Sequence, residues 1–198
     1  MNEKEKAIKG LLYDNNNDPL LIRERTYAKD LCHDYNQLRP SSINERKAVI
    51  KQLVGKASQN FHIEQPFWCD YGYNIELGDN FYANHNCVIL DCAKVTFGDN
   101  VFIAPNCGFY TAGHPLDAEQ RNQGLEYAYP ITVGNNVWFG GNVVVLPGVT
   151  IGDNSVIGAG SVINRDIPSG VIAAGNPCKV IRAITEEDKT KYWKSQNL

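Results

Sequence analysis

Apolar residues recur every six positions between Val133 and Ile163. Written in sixes, the stretch reads VGNNVW, FGGNVV, VLPGVT, IGDNSV, IGAGSV. The first column holds Val133, Phe139, Val145, Ile151 and Ile157, and Ile163 opens the next six. The second column is mostly Gly, and the fifth holds Val137, Val143, Val149, Ser155 and Ser161. A fixed internal period sets the whole architecture, and this one matches neither a plain strand nor a helix.

A period of six has a direct physical reading. One short strand turns an aliphatic residue inward, and the Gly or Asn beside it lets the backbone bend. Three such sides close a triangular coil, and coils stack at about 4.8 Å, the spacing of neighbouring strands. The first column then fills the prism, while the fifth needs small inward residues. The sixes begin loosely near Phe61 and continue through Ile75, Ala83, Ile89, Phe97 and Ile103. The step from Ile89 to Phe97 is two longer than six, which predicts a bulged corner. LGDN, FGDN and IGDN recur at Leu77, Phe97 and Ile151 as corner turns. After Cys107 the period stops, to return at Ile131. The interruption, about 109–130, is too long for an ordinary connection and too polar for core; such excursions are functional or disordered. Beyond Ile163 the prism closes with RDIPSGVIAAGNPCKVIR.

The first 57 residues read as a helical segment, 58–183 as the prism with its extruded loop, and 184–198 as a short helix and tail. NEKEKAIKGLL suggests a helix over 2–12 with Ile8, Leu11 and Leu12 on one face. Asp18-Pro19 is an N-cap with proline at the first helical position. The helix it starts runs to about Gln37, with Leu21, Ala28, Leu31 and Tyr35 buried. Ser42 followed by Glu45 reads as a capping box for a third helix ending near Gly55. Thr185 caps a last helix, TEEDKTKYWK.

Composition narrows the function classes. A net charge of -3 argues against a nucleic-acid footprint. No apolar run approaches a membrane span, and MNEKEK leads into no signal-peptide core, so a cytoplasmic protein is expected. The six cysteines, at 32, 69, 87, 92, 107 and 178, form neither a CxxC pair nor a zinc spacing and read as reduced thiols.

Candidate chemistry is sparse. His114, in the run TAGHPLD, combines an imidazole that titrates near neutrality with a loop anchored on a stiff scaffold. A surface or structural histidine is the equal alternative. Asn84, His85 and Asn86 sit at a corner, where turn chemistry alone explains them. Lys179 and Arg182 follow a Gly-Asn-Pro turn, which suits phosphate binding, although solvated charges are commoner.

The segments CDYGYNIELGDNFYANHNCVILD, YTAGHPLDAEQRNQGLEY and PITVGNNVWFGGNVVVLPGVTIGDNSVIGAGSV resemble the maltose and galactoside O-acetyltransferases of the hexapeptide-repeat superfamily. The likeness extends to AAGNPCKVIR and to the helical front end, EKAIKGLLYD through HDYN. It implies a left-handed parallel β-helix and a homotrimer with sites between subunits. It also implies acetyl-CoA as co-substrate, a sugar acceptor, direct transfer without an acyl-enzyme, and no metal. His114 matches the family's catalytic base, and Asn84 the residue that stabilises the transition state. The implied acceptor set is Asp70, Tyr82, Asn84 and Asp91. The implied CoA set is Trp138, Gly141, Ala159, Asn164, Arg165, Lys179 and Arg182. His85 stands where the sugar enzymes carry Phe, Asn15 where galactoside enzymes carry an acceptor-contacting Asp, and Cys92 replaces an Asp beside Asp91. These departures all fall on the acceptor side.

Three other readings stand beside this one. A non-sugar acceptor would keep the chemistry. A β-helical scaffold would make His114 incidental. A zinc enzyme of the same shape would have to use His62, His85 and His114, without the closely spaced histidine pair of such enzymes.

Overall fold

The computed structural model describes residues 1–190. The sixes form a left-handed parallel β-helix of triangular section. Among the described residues its strands make three flat faces. The first face is built from Phe61–Ile63, Phe81–Ala83, Phe102–Ile103, Trp138–Phe139, Val156–Ile157 and Val171–Ala174, with Lys179–Ala183 returning antiparallel. The second comprises Phe67–Cys69, Cys87–Leu90, Gly108–Tyr110, Val144–Val145 and Val162–Ile163. The third comprises Lys56–Ala57, Ile75–Leu77, Val95–Phe97, Ile131–Val133 and Thr150–Ile151.

Side chains alternate across each strand, so every face has an inner and an outer row. The first-column residues point inward and are buried. Phe81, Phe97, Phe109 and Phe139 stack through the prism with ring centroids 5.0, 5.0 and 5.3 Å apart, in tilted and edge-on arrangements that aromatic pairs favour. Ser155 and Ser161 are buried in the fifth column, where their hydroxyls donate to Pro168 O and Gly158 O. The outer rows differ by face. The first carries His62, Tyr82, Phe102 and Trp138 in register, an aromatic face. The second carries Trp68, Val88, Val144 and Val162, an aliphatic face. The third carries Glu76, Thr96, Thr132 and Thr150, a polar face.

Two corners are built on asparagine. Asn80, Asn100, Asn136 and Asn154 take φ of 54–57°, a left-handed conformation that Asn tolerates better than most residues. Stacked one coil apart, their amides donate in sequence across 3.0, 3.0 and 2.9 Å. Asn86 and Asn106 repeat the arrangement between the aromatic and aliphatic faces, 2.9 Å apart. The third corner, between the aliphatic and polar faces, is irregular. There Asp91–Lys94 form the bulge expected after Ile89, and the excursion leaves the prism. Phe109 still lies in the core, paired in register with Ile89 and Val145, so the excursion starts at Thr111 rather than near 109.

The excursion is ordered by the amino-terminal segment. Ala112–Gly113 and Leu125–Ala128 pair antiparallel, and Tyr13–Asp14 adds a third strand to them. A one-turn helix, Ala118–Asn122, is capped by Asp117 between them. The front helices cover the first coils. Helix α1 is shorter than its sequence suggested, Glu3–Ile8, and buries Ala7; Ile8, Leu11 and Leu12 are exposed, because the chain turns at Gly10 before they can face inward. Helix α2, Pro19–Gln37, starts from the Asp18 cap and buries Leu21, Ala28, Leu31, Cys32 and Tyr35. Asn36 brackets Phe67 with two hydrogen bonds of 3.0 and 2.9 Å and fixes the helix on the aliphatic face. Helix α3, Ile43–Leu53, begins at Ser42, but ψ of 58° swings that hydroxyl off the helix and no side-chain cap forms. At the other end a 3-10 turn, Glu186–Lys189, follows Thr185; the remainder of the expected helix and tail lies outside the described residues. No described helix is long and apolar enough to cross a membrane.

Candidate active site

His114 follows the strand Ala112–Gly113 and is exposed. Gly113 leaves room for the Tyr127 ring, whose hydroxyl would lie 2.5 Å from a Cβ placed there. The imidazole Nδ1 lies 2.9 Å from the carbonyl oxygen of Leu125 on the partner strand. A carbonyl only accepts, so Nδ1 carries a proton, and in the neutral ring the lone pair is then on Nε2. The loop thereby presents one oriented, basic nitrogen to solvent.

The next residue, Glu126, was invisible to sequence reasoning. Alternation in LEYA suggests an outward glutamate, yet pairing with Tyr13–Asp14 buries it to 6% exposure. Its Oε1 accepts the Tyr13 hydroxyl in a very short hydrogen bond. Burial pushes the Glu126 carboxyl above the usual carboxylate range, against the opposing pull of Tyr13 and His114, and Asp70 adds to the upward push. Glu126, Asp70 and His114 thus share one electrostatic environment at the irregular corner. Asp70 is half-buried, and the Cys92 thiol donates to its Oδ2 at 3.4 Å. Asn15 is buried and accepts from the Tyr71 hydroxyl at 2.5 Å.

Asp91 does not fit the acceptor role suggested for it. It is fully buried, its Oδ1 accepts from Asp70 N at 3.0 Å and Tyr71 N at 2.8 Å, and its Oδ2 accepts from Asn74 N at 3.3 Å. Both oxygens are committed to the backbone of the turn that carries Asp70. Burial raises its pKa from 3.8 to about 6 in spite of those bonds. Asp91 shapes the site from beneath.

The other candidates stand elsewhere. Tyr82, Asn84 and Trp138 line a cavity of about 350 Å³ with Phe102, Ile103 and Ala104 on the aromatic face and its corner. The Asn84 Oδ1 accepts from His85 N at 2.8 Å, which leaves the amide Nδ2 as the side chain's donor. Gly141 and Ala159 continue this corner, joined by a 2.8 Å bond from Gly160 N to Gly141 O. Asn164, Arg165 and Lys179 surround a second cavity, about 290 Å³, with Pro177 and Cys178 at the carboxy-terminal end. Arg182 does not line that cavity and forms a bidentate pair with Asp188, both contacts 2.7 Å.

One chain therefore holds two half-sites. Asn84 sits where the aromatic face meets the aliphatic face, whereas His114 and Asp70 belong to the corner where the aliphatic face meets the polar one. The width of a face separates them. His62, His85 and His114 are likewise dispersed, and among the described residues no three His, Cys, Asp or Glu side chains are grouped to hold a metal ion. All six cysteines are buried and unpaired.

Comparison with known proteins adds three kinds of match. Residues 6–58 match the maltose acetyltransferase hexapeptide capping motif, and residues 130–165 match the bacterial transferase hexapeptide repeats. Among relatives, a Saccharomyces cerevisiae protein provisionally named an acetyltransferase is 62% identical, over 94% of this chain and 95% of its own. The galactoside O-acetyltransferase of Escherichia coli is 49% identical, over 88% of this chain and 86% of its own. Among solved structures, a maltose O-acetyltransferase from Clostridium difficile superposes with a TM-score of 0.92 at 49% identity, covering 94% of this chain and 99% of that one. A galactoside acetyltransferase in complex with coenzyme A gives a TM-score of 0.95 at 45% identity, covering 100% of this chain and 98% of that one.

Proposed function

The chain belongs to the maltose and galactoside O-acetyltransferase family of hexapeptide-repeat proteins and is an acetyltransferase, and we propose that it moves an acetyl group from acetyl-CoA to a sugar hydroxyl within a ternary complex. The observation that carries this reading is the His114 imidazole, held by Leu125 O through Nδ1 with Nε2 left basic. A sugar hydroxyl holds its proton too tightly to attack at neutral pH. A base within hydrogen-bond reach must take the proton as the new C–O bond forms. Acetyl-CoA supplies an activated thioester carbonyl; as its C–S bond breaks, the thiolate of coenzyme A departs and takes up the proton that the base removed from the sugar hydroxyl. The Nδ2 of Asn84 is the donor for the negative charge that develops on the reacting oxygen. Asp70 offers an acceptor for the sugar's hydroxyls, and Tyr82 offers an aromatic wall. A covalent route through cysteine has no support in a chain whose thiols are all buried, with that of Cys92 pushed up by burial.

The protein offers a fitting bed for coenzyme A. Trp138, Gly141 and Ala159 would flank the long chain, while Arg165, Lys179 and Asn164 would meet phosphates at the prism's end. Arg182 would act only by steadying that end through Asp188. The two half-sites would meet in a cyclic homotrimer, the His114 corner of one subunit against the Asn84 corner of the next. Two outward faces are apolar, with Trp68, Phe102 and Trp138 each 43–53% exposed, while the third is polar. That asymmetry suits a prism with two faces toward neighbours and one toward water. Six unpaired thiols suit the reducing cytoplasm.

Thiol release from acetyl-CoA, measured with glucose, maltose, galactosides and an amino sugar, tests the reading. Turnover with a neutral sugar is expected. His114→Ala should lower it by roughly 10²–10⁴-fold, the usual range for loss of a positioned base, while calorimetric acetyl-CoA binding persists. Retention of most of the turnover in that variant would overturn the mechanism.

A further inference from the structure

The aromatic face does not end at Tyr82. Register places His62 one strand beyond it, Phe102 one strand before, and Trp138 before that. The His62 and Tyr82 rings are nearly parallel, 8° apart in plane with centroids 5.6 Å apart. The corner beside them runs in the same register. Glu64 N donates to Ala83 O and Asn84 N donates to Ile103 O, so Glu64 stands one rung beyond Asn84. His62 and Glu64 therefore repeat, about 4.8 Å farther from the CoA end, the pairing of ring and polar corner that Tyr82 and Asn84 make.

This rung is built rather than incidental. Glu64 receives two oriented partners, His62 Nε2 at 2.9 Å and Arg46 Nη2 at 3.1 Å. Arg46 is itself buried, anchored by Ile63 O at 2.7 Å and Pro40 O at 3.1 Å. The Glu64 carboxylate is thus fixed in place while its side chain stays 27% exposed, and that of His62 40% exposed. Burial would raise the Glu64 pKa, but the His62 and Arg46 bonds outweigh it and hold it below the usual range, so it meets solvent as an anion and acceptor.

We propose that His62 and Glu64 form a subsite for the second ring of a disaccharide or for the aglycone of a glycoside acceptor, the part remote from the reacting hydroxyl. Resting on the acceptor reading above, it names the acceptor class as one larger than a monosaccharide. Aromatic surface beside an anchored carboxylate is the chemistry that recognises a pyranose ring, with its apolar face and hydroxyl edge. The rung lies one strand beyond the Tyr82 and Asn84 that border the cavity, on the side away from the CoA end.

The test compares kcat/KM for maltose and for glucose in wild type and three variants. His62→Ala should lower the maltose-to-glucose ratio roughly 3- to 10-fold, the scale of one aromatic contact. His62→Phe, which keeps a ring and loses the Glu64 bond, should recover most of that ratio. Glu64→Gln should lower it in the same direction through KM rather than kcat. Wild type itself should show a lower KM for maltose than for glucose. A ratio unmoved in folded, active His62→Ala and Glu64→Gln proteins would overturn the subsite, as would a wild-type maltose KM no lower than that of glucose. Failure of wild type to acetylate any sugar would overturn the acceptor reading itself, and the subsite with it.

Discussion

Replacing Asp91 with Ala isolates the buried carboxylate that supports the acceptor side. The change orphans three backbone donors: Tyr71 N–H in a buried position, and Asp70 and Asn74 N–H in part-buried ones. An unsatisfied buried donor costs about 1–3 kcal/mol, and a half-wet one less, so the loss sums to about 2–5 kcal/mol when the wild-type carboxyl is uncharged. Ionisation works against that gain. The folded pKa, about 6, lies above the reference 3.8, chiefly because burial penalises the charge. A raised pKa contributes stability that is full below the unfolded value and is lost as pH rises through the folded one. Between about pH 5 and about pH 7.5 this group should cost the wild type on the order of 1 kcal/mol, a loss the variant cannot show. Urea unfolding at both pH values, at one protein concentration, measures the gap between wild type and variant. The gap should be wider at the acid value, by on the order of 1 kcal/mol. A gap that is constant, or wider at the higher pH, would refute the assignment of a raised, buried carboxyl. Because Asp91 holds the turn bearing Asp70, the sugar KM should rise more than the acetyl-CoA KM.

Two further outcomes follow from the half-sites. Replacing Arg165 and Lys179 together by Ala should raise the acetyl-CoA KM by roughly 100-fold or more, since well-formed charged contacts are worth about 1.5–3 kcal/mol each, with the sugar KM nearly unchanged; an equal effect on both substrates would remove these residues from the phosphate end. Light scattering should give a homotrimer, and a charge placed on the aromatic face by Phe102→Glu should yield inactive smaller species; a monodisperse wild-type monomer with full turnover would end the shared-site proposal.

The repeat was legible because its physics is local and periodic. An inward aliphatic every six residues and an Asn or Gly at each bend need no distant partner to be recognised, so the prism, its asparagine corners and the bulge after Ile89 could all be read directly, whereas the period runs on past Cys107 to Phe109 before it breaks. The Asp18 cap and the buried stripe of α2 were equally local. His114 drew attention through the same logic, as the histidine in the one long break of the period. The misreadings have a different origin. Ser42 and Glu45 carry the letters of a capping box, but the backbone entering α3 holds that hydroxyl out of reach. Ile8, Leu11 and Leu12 looked like one buried stripe until the turn at Gly10 ended the helix.

Tertiary structure alone decided which polar residues face the site. Tyr13 and Glu126 meet across most of the chain because the amino-terminal strand adds to the excursion, and that pairing buries a glutamate that the sequence did not single out. Asp91 and Asp70 are both acidic and near one corner, yet three backbone N–H groups claim Asp91 and leave Asp70 the more open. Arg182 is drawn into a pair with Asp188, while Arg165 and Lys179 border the open cavity. Such choices depend on backbone donors and burial supplied by segments far apart in sequence, which periodicity does not encode. The period determined the scaffold; long-range packing determined which of its charges are spent on structure and which are left for chemistry.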